Sequence, residues 1–459
     1  MPHTYDAIII GTGQAGPPLA ARLSNAGWKV AIIERGAFGG TCVNTGCIPT
    51  KTLIASAYAA QLARRAREYG VHTGAVTVDM KRVKARKDAI AGTSRTGVEQ
   101  WMESLANVTV YRGHARFTGP TTVSVGGEAL EAPKIFVNVG GRPLVPDMPG
   151  IGDAPWLTSS TMMQVDFLPK HLVIVGGSYI GLEFAQMYRR FGSEVTVIEK
   201  GSRLIHGEDP DVSAAILEIL QNEGVHVRLN AECISLRKSA AGVAVGVECE
   251  QPDKTVSGSH VLLAVGRKPN TDDLDLDRAG AKADKHGYIE VDDELRTSVP
   301  GIWALGDCNG KGAFTHTAYN DYEIVAANLL DGDHRKVSDR ITAYALFIDP
   351  PLGRAGLTET QVRKSGREAL MATRPMTKVG RAVEKGEAQG FMKALVDAQT
   401  KEILGAAILG VTGDEVVHTL LDVMYARAPY TTVTRAMHIH PTVSELLPTL
   451  LQDLKPLAR

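Results

Sequence analysis

Two stretches of the chain repeat one pattern of apolar and polar positions. Ala7, Ile8, Ile9 and Ile10 form a short apolar run that ends at Gly11. Glycines follow at 13 and 16, then a segment of helical apolar periodicity to Ala26, Gly27, and a second apolar run closed by Glu34. From Leu172 the same order returns: an apolar run to Val175, Gly176, Ser178, Gly181, a periodic segment to Phe191, Gly192, and a run closed by Glu199. Gly11 and Gly176, Gly16 and Gly181, and Glu34 and Glu199 are each 165 positions apart. A buried strand reads as a short continuous apolar run and a helix as a 3.6-residue period, so each copy predicts strand, glycine turn, helix, strand.

That arrangement is a dinucleotide fingerprint. The first glycine permits the tight turn, the second lets the backbone approach a pyrophosphate, and the third lets the helix pack on its strand. The phosphates then meet the free N–H groups of the helix N-terminus. Glu34 and Glu199 are placed to accept from ribose hydroxyls. Pro17 and Pro18 fall in the first helical turn, where a missing N–H costs little. Ser178 stands where the second copy should carry its middle glycine.

Elsewhere the pattern is coarser. Residues 50–69 read as helix and 108–125 as strands with turns. Strands at 135–139 and 261–265 each lead into a Gly-Arg turn, at 140–143 and 266–270. Residues 144–155, rich in Pro, Gly and Asp, read as a linker. Beyond Arg340 the chain changes character, with strands at 390–396 and 403–409 and a helix at 414–427.

Length and composition narrow the classes. A chain of 459 residues suggests about three domains. Its 50 Lys and Arg balance 51 Asp and Glu, which argues against nucleic acid as a partner. No apolar run reaches the length of a membrane span. Five cysteines are too few, and odd in number, for a secreted disulfide framework, so the expected setting is a reducing cytoplasm.

Two of those cysteines carry the chemistry. Cys42 and Cys47 lie in Gly39-Gly40-Thr41-Cys42-Val43-Asn44-Thr45-Gly46-Cys47-Ile48-Pro49-Thr50-Lys51, at the mouth of the helix after Pro49. A zinc site would need a second ligand pair, and no close Cys or His pair supplies it. A helix N-terminus favours thiolate. Residues five apart in a regular helix point about 140° apart, so pairing these sulfurs needs a distorted turn, for which Gly46 and Pro49 are candidates. Cys233, Cys249 and Cys308 show no pairing signal, and Cys308 reads as a buried, inert thiol.

This segment resembles the redox-active region of the flavoprotein disulfide reductases, the family of dihydrolipoamide dehydrogenase, glutathione reductase and mercuric reductase. The resemblance extends over essentially the whole chain. It implies an α/β fold with two Rossmann-like domains, for FAD and for NAD(P), and an α+β C-terminal dimerisation domain. The expected boundaries are 1–148 and 271–338 for the FAD domain, 149–270 for the nucleotide domain and 339–459 for the interface.

The resemblance also implies the site residues. For FAD these are Gly11, Gly13, Gly16, Glu34, Gly40, Thr41, Lys51, Ala115, Gly141, Asp307 and Thr315. For NAD(P) they are Gly176, Tyr179, Ile180, Gly181, Glu199 and Gly266, with Tyr179 as an aromatic cover for the nicotinamide pocket. Hydride from NAD(P)H would reach the flavin, which reduces a Cys42–Cys47 disulfide through Cys47. Cys42 would attack the substrate. His440, oriented by Glu445 in the stretch 438–445, would move the proton, and Lys51 with Glu183 would stand beside the flavin. Because His440 lies in the interface domain, it would serve the other subunit of a homodimer. Glu199 favours NADH, while Lys200 and Arg203 leave room for NADPH.

The acceptor stays open at this level. A small disulfide such as lipoamide, with a lipoyl carrier as partner, matches His440 and Glu445. Thr45, Thr50 and Gly140-Gly141 depart from well-known members and point to a mercuric-reductase-like or copper-reducing branch, whose substrate is a thiophilic metal ion. The tail 454–459 lacks the vicinal cysteine pair of true mercuric reductases. No resident metal is expected. A redox-sensing or complex subunit is the alternative from another class.

Overall fold

The computed structural model describes residues 1–231, 234–248 and 254–458, so the sequence expectations for Cys233 and Cys249 lie outside the described residues. Each glycine repeat builds the centre of its own parallel sheet. In the first, strand order is Ile302–Ala304, Ile135–Val137, Ala7–Ile10, Val30–Glu34, Val108–Arg112. In the second it is Leu157–Thr158, His260–Leu263, His171–Val175, Glu194–Ile198, His226–Arg228. The two adjacent strands of each glycine repeat are almost wholly buried, as continuous apolar runs require when helices cover both faces of a sheet.

The outer strand of the first sheet, Ile302–Ala304, comes after the entire second sheet in the chain. The second unit is therefore inserted into the first, and the connections crossing between them pair as the short ladder Gly141–Pro143 with Arg267–Pro269. Residues 144–155 hold no helix or strand, as their composition predicts. The third unit is a six-stranded antiparallel sheet in the order Ala343–Leu346, Leu352–Gly356, Ile403–Leu409, Phe391–Asp397, Ala369–Pro375, Lys455–Pro456. The helix Gly413–Tyr425 packs against it through Val416, Val417 and Leu420.

Glycine is required at the turns by close approach. Gly11 sits at φ +104°, and a Cβ there would lie 2.3 Å from the Asn138 carbonyl oxygen; one on Gly16 would lie 2.3 Å from that of Gly11. The second copy reproduces this, with a Gly181 Cβ only 2.0 Å from the Gly176 oxygen. The middle position is different. Gly13 meets nothing closer than 3.3 Å, and Ser178 in the other copy is exposed, so the departure there is sterically free.

Among the described residues no helix is long and apolar enough to cross a membrane.

Candidate active site

A single cavity of about 1730 Å³ runs from the first glycine turn to the second. Small-molecule pockets usually span about 300–1,000 Å³, so this one has room for two large ligands. The helices Gly16–Asn25 and Tyr179–Phe191 begin at its walls. At the ends of the paired strands the two glutamates are already tied to backbone. Glu34 accepts from the N–H groups of Thr12 (3.0 Å) and Gly36 (2.8 Å), and Glu199 from those of Gly177 (2.6 Å) and Gly201 (2.7 Å). Fixed this way, each carboxylate edge is held toward the cavity it lines.

The cysteines sit between the two turns. Cys42 lies on a short helix, Gly40–Asn44, and Cys47 opens the long helix Cys47–Arg65. The break between them is Thr45-Gly46, where a Cβ on Gly46 would stand 2.9 Å from the Thr41 oxygen. Gly46 is thus the source of the distorted turn and Pro49 is not. The helix starts two residues before the proline, which occupies a first-turn position where no N–H is needed. The helix also ends at Arg65, with 66–69 continuing as a 3₁₀ turn rather than α-helix.

Neither cysteine is in a disulfide in this structure, and each shifts the ionisation of the other. Cys47 Sγ also lies 3.1 Å from Thr315 Oγ1, at the start of the helix Thr315–Ala326. The proton is divided unequally. The Cys42 hydrogen bond, helped by Thr315 and the Lys51 charge, pulls Cys47 down to about 6. Cys42 is pushed up, by that same hydrogen bond and by burial. These directions favour the anion at Cys47 and the proton at Cys42.

Lys51, one helical turn beyond Cys47, donates to both oxygens of Glu183 at 2.9 and 2.8 Å. Glu183 is 5% exposed and also accepts from the Phe347 N–H at 3.2 Å. The pair joins the cysteine helix to the second glycine helix and to the third domain. Asp307 is raised by burial against the opposing pull of Arg267, whose Nε lies 3.5 Å away. Arg267 also donates to the Gly141 carbonyl at 2.5 Å, holding the crossover at the cavity edge. Only the glycine of that Gly-Arg turn, Gly266, was marked in the sequence; the arginine was missed because its partners are 40 and 126 positions away.

Most of the residues marked in the sequence line this cavity, including Gly40, Thr41, Ala115, Tyr179, Ile180 and Gly266. Gly16, Gly141 and Gly181 do not; they pack behind it, where the close approaches occur. Cys308 is buried, donates to the Leu305 and Val137 carbonyls, and is pushed up to about 12 by burial. His440 and Glu445 are paired, Nδ1 to Oε2 at 2.9 Å, but neither reaches the cavity. The His440 side chain is 82% exposed, flanked by exposed Met437 and Ile439.

The cavity residues fit FAD on the first turn: a phosphate cradle at Gly11 and Gly13 that a Cβ at Gly11 would destroy, Glu34 at the strand end, and the polar edge of Asp307. The second turn offers the matching cradle for a nicotinamide nucleotide.

Residues 5–321 match the family described as pyridine nucleotide-disulphide oxidoreductase, and residues 342–451 match its dimerisation domain. The RclA protein of Escherichia coli, named a probable pyridine nucleotide-disulfide oxidoreductase, is 36% identical over 99% of this chain and all of its own. Its solved structure, titled an HOCl-induced flavoprotein disulfide reductase, superposes with a TM-score of 0.89 over 98% of this chain and 99% of that one. A dihydrolipoyl dehydrogenase of Thermus scotoductus is 32% identical over 96% of the chain and 95% of its own, and a mercuric reductase of Streptomyces lividans 33% over 97% and 95%. The chain belongs to the pyridine nucleotide-disulphide oxidoreductase family: it is an FAD-dependent, NAD(P)H-using oxidoreductase acting on sulfur, with a homodimerisation domain at its C-terminal end.

Proposed function

We propose that the enzyme oxidises NADH and uses the electron pair to open a Cys42–Cys47 disulfide, which then reduces a small disulfide substrate. The balance is NADH + H⁺ + RS–SR giving NAD⁺ + 2 RSH. The observation that carries this reading is that both thiols line, with Thr315 and Lys51, the one cavity that both glycine turns share. Bound FAD supplies the two-electron link between nicotinamide and sulfur.

The residues divide the work by their electrostatics. Lys51, kept in place by Glu183, puts a positive charge beside the site where electrons accumulate. Cys47 holds the thiolate. Cys42 keeps its proton, so its attack on a substrate disulfide needs a base. The partner subunit's His440, with its Nδ1 on Glu445, is the group we assign to that task; the carboxylate fixes the tautomer and raises the basicity of Nε2. We assign residues 1–148 and 271–338 to the FAD domain, 149–270 to the nucleotide domain and 339–459 to the interface.

Two observations favour NADH. Both Glu199 oxygens are held by backbone N–H groups, leaving a carboxylate that suits a ribose 2′-hydroxyl and repels a phosphate. Of the two cations that follow Glu199, Arg203 donates to the His206 carbonyl at 3.0 Å and does not line the cavity, while Lys200 does line it and is the group an NADPH phosphate would meet.

A second reading rests on the relatives. One solved RclA structure is titled a Cu(II) complex, and several relatives are named mercuric reductases. A reduced pair of thiols also suits a soft metal ion as substrate, with NADH + 2 Cu(II) giving NAD⁺ + H⁺ + 2 Cu(I). Turnover of the holoenzyme with NADH and NADPH against lipoamide, glutathione disulfide, Cu(II) and Hg(II) decides between them. Rapid turnover of one disulfide, lost in His440→Ala, supports the first reading. Metal-dependent turnover that survives His440→Ala replaces it with the second. Flavin reduction with no acceptor consumed overturns both and leaves a redox-sensing subunit.

A further inference from the structure

Asp307 is carried by a turn whose position is set from outside it. After the strand Ile302–Ala304 the chain enters the short turn Gly306–Asn309, with Gly306 and Asp307 on the cavity wall. Gly306 sits at φ +72°, and a Cβ there would lie 3.3 Å from both the Ala318 Cβ and the Asn138 Oδ1. The Gly306 N–H donates to Asp321 Oδ2 at 2.7 Å, and Asn309 Nδ2 donates to the same oxygen at 2.8 Å. One carboxylate oxygen therefore grips the turn at both of its ends. Asn309 passes the hold on, donating to the Ala304 carbonyl at 3.0 Å and accepting from the Lys311 N–H at 2.8 Å.

Asp321 is 2% exposed and lies on the helix Thr315–Ala326, whose first residue touches Cys47. A carboxylate buried that deeply needs a cation. Arg340 supplies it: Nη2 donates to Asp321 Oδ1, and Nε donates to Asn320 Oδ1 at 2.7 Å. The two oxygens of Asp321 thus have separate tasks, one toward the turn and one toward the guanidinium. Arg340 lies in the link between residues 5–321 and 342–451, the two segments that the family matches, three residues before the strand Ala343–Leu346. It also lines the cavity. The entry to the third domain therefore reaches back to hold the turn that carries Asp307. Removing the arginine would leave a buried charge unpaired directly behind that turn.

We propose that Arg340 is a positioning residue for the flavin: it fixes Asp321, which fixes the turn Gly306–Asn309, which places Asp307 for its contact with FAD. The proposal rests on the reading of Asp307 as a flavin contact. It makes flavin retention depend on how the segment entering the third domain is seated.

The test is flavin release from the FAD-loaded enzyme on dilution, followed by the fluorescence of freed FAD. The half-saturating NADH concentration for flavin bleaching is the second readout. Arg340→Met is expected to raise the FAD dissociation constant about tenfold, as loss of a charged hydrogen bond implies, and Arg340→Lys to restore most of it. Half-saturation by NADH should stay put in both, because every partner named above lies outside residues 149–270. In the Asp307→Ala background, Arg340→Met should add no further loss. An arginine that only stabilises the fold would shift both readouts together, or add its full loss in that background, and either result overturns the proposal. So does unchanged release in Arg340→Met when Asp307→Ala weakens retention. Unchanged release in Asp307→Ala itself overturns the reading of Asp307, and the proposal with it, while leaving the function in place. Should Arg340→Met fail to fold, Asp321→Asn is held to the same criteria, since it keeps an acceptor for the Gly306 N–H and loses the charge that holds Arg340.

Discussion

At the scale of single residues, the chemistry reduces to where one proton sits. Cys47 is held near 6 by hydrogen bonds from Cys42 and Thr315 and by the Lys51 ammonium. The group is anionic above that value, so the dithiol enzyme should gain one thiolate as pH rises through about 6. Removing a stabilising partner moves the midpoint up, toward the ordinary thiol range. Thr315→Ala and Lys51→Met are each expected to do so, read as thiolate absorbance of the reduced enzyme against pH. A midpoint that stays fixed in both variants would show that Cys42 alone holds the anion. The cysteine pair, Lys51 and the closing glutamates were legible because their meaning lies in local spacing. Arg267 and Arg340 were not, because each reads as an ordinary polar residue until its partners arrive, 126 and 19 positions away.

At the scale of elements, two turns with the same close glycine approaches are assigned to two different ligands, and this makes them separately testable. Ala at Gly16 drives a Cβ into the Gly11 carbonyl, and Ala at Gly181 drives one into that of Gly176. At 2.3 and 2.0 Å the backbone must shift in both cases, so each change should cost about 1–3 kcal/mol of stability. The functional losses should differ. Gly16→Ala is expected to yield colourless protein that does not retain flavin, whereas Gly181→Ala keeps the flavin and raises KM for the nucleotide. Ser178→Gly should change little, because nothing crowds the exposed serine. Strong periodicity made these elements readable. The helix Met80–Ser104 went unread for the opposite reason: its buried side chains are Met80, Lys87 and Met102, which form no apolar stripe. The hairpin strand Ser235–Ser239 carries no distinctive run either.

At the scale of the whole molecule, one chain holds an incomplete set of parts. The cavity contains the sulfurs, both nucleotide cradles and the Lys51–Glu183 pair, but the His440–Glu445 pair faces outward on the dimerisation domain. An imidazole that is 82% exposed, with its Nδ1 already fixed by a carboxylate and apolar Met437 and Ile439 bare beside it, has the character of half an interface. In a twofold dimer whatever one subunit gives its partner it also receives, so a His440 that reaches across would complete two sites from two chains, as proposed above. This predicts complementation between dead variants. Cys47→Ser retains a working His440, and His440→Ala retains working cysteines. Co-refolded in equal amounts, half of the dimers are mixed, and each mixed dimer holds one site with both cysteines and an opposite-chain His440. Activity should return to about a quarter of wild type. If His440 instead served the cysteines of its own chain, every site in every mixed dimer would lack one component, and the mixture would stay as inactive as its parents.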